Sequence, residues 1–225
     1  MTLITETNKL IEVCERFSRE SFLAVDTEFM RERTYYPQLC LIQIAGKDEA
    51  VTVDALVKEI NLKPILDLMA NNQITKVFHA CRQDMEIFFN LNRRIPFPVF
   101  DTQIGAMVCG YGESVSYDKL VRQITGVQID KSSRFTDWSH RPLSKQQLNY
   151  ALSDVTHLRK VYESLLNQLE KNGRINWLNE DFQNVLSPKT YDIPLDQIWK
   201  RHKIKNLTLI HTDAADERSS VDLGG

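Results

Sequence analysis

The chain has little of what would tie it to a membrane or to an oxidising compartment. Its 225 residues contain no apolar run near the about 18 to 20 residues that cross a bilayer. The start, Met1-Thr-Leu-Ile-Thr-Glu6, lacks the basic opening and the apolar stretch of a secretory signal. A cytoplasmic protein is expected. Cysteine is scarce: Cys14, Cys40, Cys81 and Cys109 form no C-x-x-C pair, so neither a zinc knuckle nor a disulfide framework is indicated. They read as small buried hydrophobes. Nor is there an excess of positive charge, since 28 Lys and Arg against 30 Asp and Glu leave −2. That excludes a uniformly basic surface but not a local patch for phosphates. What is present, 42% hydrophobic and 26% charged residues, is ordinary globular material. Such a chain buries roughly 70% of its unfolded surface, and one main domain is expected.

Apolar periodicity supplies the elements. Leu10, Val13, Cys14 and Phe17 recur at helical spacing, with Thr5 or Thr7 as the expected N-cap. Phe22-Leu-Ala-Val-Asp-Thr-Glu-Phe29 and Leu39-Cys-Leu-Ile-Gln-Ile-Ala45 read as core strands, followed by a turn at Gly46-Lys-Asp-Glu49 and a third strand, Ala50-Val-Thr-Val-Asp54. Three strands in succession predict an antiparallel meander. A helix around Ile65 to Met69, a short strand over Lys76-Val-Phe-His-Ala80 and then helices almost throughout complete an α/β layered domain with a mixed sheet. Ile87, Phe88 and Leu91 mark the core stripe of one helix; Leu148, Ala151, Val155, Leu158, Tyr162 and Leu165 mark that of a long one. A Ser144/Gln147 capping box and a Leu143/Leu148 staple open the long helix.

Carboxylates sit where such elements should be apolar. Asp26 and Glu28 interrupt the opening strand two residues apart, so they share a face with backbones about 7 Å apart. They either meet water at a strand end or share a divalent metal. Asp84 falls on the stripe of Ile87 and Phe88, where an unpaired charge costs several kcal/mol. It must be a helix cap or a metal ligand. Asp101 precedes a helical pattern and reads as an N-cap. Tyr150 and Asp154, four apart, stack on one side of the long helix. Alone, that pair could be a core-edge aromatic beside a solvated acid.

Taken together, Asp26-Thr-Glu28, Asp84 in His79-x-x-x-x-Asp84, and Tyr150-x-x-x-Asp154 resemble the three exonuclease motifs of the DEDD superfamily. Arg33-Thr-Tyr-Tyr-Pro-Gln-Leu39, Leu41-Ile-Gln43, Asp101-Thr-Gln-Ile104, Asp130-Lys-Ser132, Thr136-Asp-Trp138 and Arg141-Pro-Leu143 are similar to ribonuclease D, over about residues 1 to 185. The resemblance implies a ribonuclease H-like fold of mixed sheet and flanking helices. It also implies removal of 5′-mononucleotides from RNA 3′ ends, tRNA precursors or other small structured RNAs, by two divalent ions, Mg²⁺ or Mn²⁺. Asp26, Glu28, Asp84 and Asp154 would hold the metals. Tyr150 would orient the attacking water; Asn149 stands where the His subtype carries its imidazole, so the Tyr subtype applies.

Substrate contacts are expected from residues between the motifs. Arg31, Arg33, Lys131, Arg134 and Arg141 are candidates for backbone phosphates, and Trp138 or a tyrosine of Tyr35-Tyr36 for stacking on a base. His79 either joins them or ends a core strand. Residues 1–187 read as the exonuclease domain. From Pro188 a remnant of a helical accessory domain, through Ile198-Trp199, leads to a polar, frayed tail. No membrane and no obligate protein partner are expected. Two other classes stand beside this reading, an inactive nucleic-acid-binding module and a DNA-directed 3′-5′ exonuclease.

Overall fold

A computed structural model describes residues 2–31, 34–134 and 136–192. Residues 1–188 form one compact unit, and the second, 189–225, is described only through residue 192. The accessory remnant at Ile198-Trp199 and the tail therefore lie outside the described residues.

Six strands make one sheet. In chain order they are β1 (Thr2–Ile4), β2 (Phe22–Met30), β3 (Gln38–Ala45), β4 (Ala50–Asp54), β5 (Thr75–Phe78) and β6 (Val99–Asp101). Their order across the sheet is β1-β4-β3-β2-β5-β6. The expected meander is present, with β2 antiparallel to β3 and β3 to β4. Parallel pairings add β1 beside β4 and carry β2 on to β5 and β6. β1 and β6 were not expected, being three residues each, too short for an alternation to register. The strand read over Lys76 to Ala80 starts one residue earlier and stops at Phe78, leaving His79 and Ala80 in the connection.

Helices cover this sheet. The first, α1 (Thr7–Phe17), buries Leu10, Val13, Cys14 and Phe17 as the spacing predicts, and packs with α2 (Lys63–Ala70). Its cap differs from expectation. Glu6 stands at the N-cap with no side-chain bond to a helix N–H, while the Thr7 hydroxyl accepts from the Asn61 N–H at 2.9 Å and so ties the helix to the loop before α2. In α3 (Arg82–Asn92) the buried stripe holds Asp84, Met85, Ile87 and Phe88, but Leu91 is exposed because it lies in the last turn. Two short helices, α4 (Thr102–Val108) and α5 (Tyr117–Thr125), lead to α6 (Lys145–Lys171). Its capping box is formed: Ser144 Oγ accepts from the Gln147 N–H at 3.1 Å, and Gln147 Oε1 accepts from the Ser144 N–H at 3.0 Å.

The long helix organises the core. Val155, Leu158, Tyr162 and Leu165 of α6 pack with Ala24 of β2, Ala45 of β3, Val77 of β5 and Phe100 of β6. Because alternate side chains share a face, Ala24 places Asp26 and Glu28 on that same α6-covered face. A β-bulge between Glu28 and Phe29 then twists the strand where it leaves the site.

Candidate active site

Two rigid rails carry the central carboxylates. β2 presents Asp26 and Glu28, and the first turns of α6 bring Tyr150 and Asp154 over them. Oxygens of Asp26, Glu28 and Asp154 lie within 4.8 Å of one another. Asp84 joins from another direction. Thr27, on the opposite face of β2, donates its hydroxyl to Asp84 Oδ1 at 2.6 Å, which anchors the first turn of α3 at the strand. All four acids and Tyr150 line one cleft of about 790 Å³.

The electrostatics are those of crowded, half-dry acids. Burial raises the Asp26 carboxyl well above the usual range, and the Asp154 charge adds to it. Glu28 is pushed up to about 10 by burial and then by Asp26, Asp154 and Asp84, with Arg134 opposing. Asp84 rises through burial and Asp26, against the Thr27 hydrogen bond. Asp154 is raised by burial to about 7, with a hydrogen bond from Tyr150 and the Arg134 charge pulling it down. The Tyr150 phenol is raised too, by burial first and by Asp154 second, so it stays protonated at neutral pH. Like charges this close cannot all ionise without a counter-charge. An all-oxygen donor set with this unmet charge fits a hard divalent cation.

Comparison with known proteins shows the family. The 3′-5′ exonuclease domain family matches residues 1–170. The chain belongs to the 3′-5′ exonuclease family. Ribonuclease D of Bartonella henselae is 53% identical over 91% of this chain and 50% of its own length. The crystal structure of Escherichia coli RNase D, an exoribonuclease involved in structured RNA processing, superposes with a TM-score of 0.81 at 34% identity, over 86% of this chain and 51% of that one. The chain thus spans about half the length of the ribonuclease D proteins it matches. Brucella melitensis NrnC bound to pGG gives a TM-score of 0.69 at 26% identity, over 85% of this chain and 92% of that one. The same protein with bound Mg²⁺ gives 0.67 at 25%, over 85% and 89%. The ribonuclease H-like mixed sheet expected from the motifs is the fold found.

Within this family member the expected substrate contacts divide. Arg31, Lys131 and Arg134 line the cleft with the acids. Arg31 pairs with Glu86 and Lys131 with Asp118, so both are held by salt bridges at the cleft. Arg33 lies outside the described residues. His79 and Trp138 line the cleft as well. One expectation changes. Arg141 does not face the cleft. Its guanidinium grips Asp54 through Nε (2.6 Å) and Nη2 (2.7 Å) and donates to the Trp138, His140 and Cys40 carbonyls, so its donors are taken. Trp138 is 3% exposed and packs with Cys40, Leu41 and Ala151, its ring 6.1 Å from that of Tyr150. It lines the cleft beside Tyr150 with little of its surface open. His79 is also bonded within the protein: its Nε2 donates to the Val115 carbonyl (3.1 Å), its Nδ1 lies 2.9 Å from Thr102 Oγ1, whose hydroxyl donates to the Phe78 carbonyl, and burial lowers the pKa of the ring.

Other contributors escaped the sequence. Tyr117 lines the cleft, donates to the Ser153 carbonyl at 3.1 Å and feels the Asp154 and Asp26 charges. Thr27 could have been noticed as the middle residue of the acidic strand motif. Asp54 could not, because its partner Arg141 is 87 residues away.

No helix among the described residues is long and apolar enough to cross a membrane.

Proposed function

We propose that this chain is a 3′-5′ exoribonuclease that shortens RNA one 5′-mononucleotide at a time with two divalent ions, Mg²⁺ or Mn²⁺. The observation that carries the reading is the convergence of Asp26, Glu28 and Asp154 oxygens within 4.8 Å, with Asp84 lining the same cleft. Asp26, Glu28, Asp84 and Asp154 are the residues that would hold the ions. When bound, such ions supply Lewis-acid stabilisation of a phosphoryl group and an activated water in an in-line displacement.

The chain's own groups do the rest. Tyr150, protonated and backed by Trp138, offers its hydroxyl to position the attacking water rather than to remove its proton. Arg134, Lys131 and Arg31 stand on the cleft wall, where cations would meet the RNA backbone without reading its sequence. Arg141 and Asp54 fix the segment that carries Trp138, and so keep Tyr150 in place. Its substrates would be single-stranded 3′ ends of tRNA precursors and other small RNAs in the cytoplasm. Support for RNA over DNA comes from the ribonuclease D relatives, and the intact acid set disfavours an inactive binding module.

Matched 5′-labelled RNA and DNA oligomers with Mg²⁺ or Mn²⁺ test this. The RNA is expected to shorten as a ladder from its 3′ end, faster than DNA, and to be spared in EDTA. Faster DNA cleavage would replace the substrate assignment; no cleavage of either would leave the binding-module reading.

A further inference from the structure

Asp84 stands on a segment that cannot hold its shape by itself. Between β5 and α3 the chain turns through Ala80, whose φ of 57° is the left-handed region that disfavours any residue with a Cβ. Cys81, the N-cap of α3, supplies no side-chain bond to the helix. The N–H groups of the turn itself, those of Ala80 and Cys81, are taken by a carboxylate from another strand. Asp101, at the end of β6 and 3% exposed, accepts from Ala80 N (2.9 Å) and Gln103 N (2.8 Å) on Oδ1 and from Cys81 N (2.8 Å) on Oδ2. The reading of Asp101 as a cap for α4 accounts for only one of these three bonds. The other two clamp the turn that delivers Asp84, three residues past Cys81, to the Thr27 hydroxyl and the cleft.

We infer that Asp101 is a positioning residue for the metal ligand Asp84: its carboxylate holds the left-handed turn at Ala80 and thereby sets where the first turn of α3 places that acid. The inference rests on the proposal that Asp84 helps to hold a metal. Asn at 101 keeps the size but presents an NH₂ where one of the N–H donors needs an acceptor, so the clamp loses a bond and gains a clash of donors. Groups that orient a metal ligand typically change affinity 10- to 100-fold when altered.

The test is Mn²⁺ titration by calorimetry of the full chain as wild type, Asp101→Asn, Asp84→Asn and the double variant, below the melting temperature of each. Asp101→Asn is expected to weaken Mn²⁺ binding about tenfold in the wild-type background and less than twofold once Asp84 is Asn. Adding Ala80→Gly, which accepts φ of this sign without strain, should recover most of the loss. Equal loss in both backgrounds, or no recovery with glycine, overturns the inference. A wild type that binds no Mn²⁺ overturns the metal reading instead. One measurement needs no change at Asp101: by reciprocity, Mg²⁺ should slow amide exchange at Ala80 and Cys81 in wild type but not in Asp84→Asn. The same slowing in both proteins counts against the clamp.

Discussion

Substituting Asn for Asp154 should make the metal-free protein more stable, and increasingly so as pH rises. The sign follows from the raised carboxyl. The folded chain keeps this proton after the unfolded chain has released its own, so the metal-free fold is best below the unfolded value near 4 and loses stability as pH climbs toward the folded value. For Asp154 the two values are 3.8 and about 7, a difference worth about 4 kcal/mol between pH 4 and pH 8. In a domain of this size that is about 10 °C of melting temperature. Asn removes the titration while keeping an acceptor for Tyr150. Thermal melts of both proteins in EDTA at pH 5, 6, 7 and 8 should show the variant pulling ahead across this window. Mg²⁺ should narrow the gap and, at about a thousandfold excess over Kd, close it, since only the intact ligand set gains the binding term, about 4.1 kcal/mol there. Parallel pH curves in EDTA, or a variant less stable than wild type at pH 8 without metal, would refute the reasoning.

Two further outcomes are expected. Tyr150→Phe should lower single-turnover cleavage about 10²- to 10³-fold, the effect of losing one positioned contact, while Mn²⁺ and RNA affinity stay near wild type. Arg141→Ala should destabilise the fold by about 3 to 5 kcal/mol in urea titrations, because it leaves Asp54, buried at 5% side-chain exposure, without its partner.

How much of this was legible in the sequence depended on range. Where the signal was local, it held: Asp26 and Glu28 share a face because strands alternate, Ser144 and Gln147 cap a helix because they are three apart, and Tyr150 and Asp154 align because helices repeat near four. Where the decisive partner lay far along the chain, composition pointed the wrong way. Arg141 reads as a phosphate contact until Asp54 is seen across 87 residues. His79 was ambiguous for the same reason, its ring being claimed by Thr102 and Val115. The strands β1 and β6 escaped because three residues carry no period, yet β6 delivers Asp101 to the turn before Asp84. Resemblance named the acids; only the fold shows oxygens of three of them within 4.8 Å of one another, with Asp84 on the wall of the same cleft and hydrogen-bonded by Thr27.

The most direct test of the central claim is the fate of a 3′-end label. Single-stranded RNA carrying it, mixed with excess protein and Mg²⁺, should release the label as a mononucleotide in the first turnover, while a 5′-labelled copy shortens by one residue in step. EDTA should stop both. Label appearing first in oligonucleotides, or leaving at the same rate in EDTA, would contradict a metal-dependent exonuclease acting from the 3′ end.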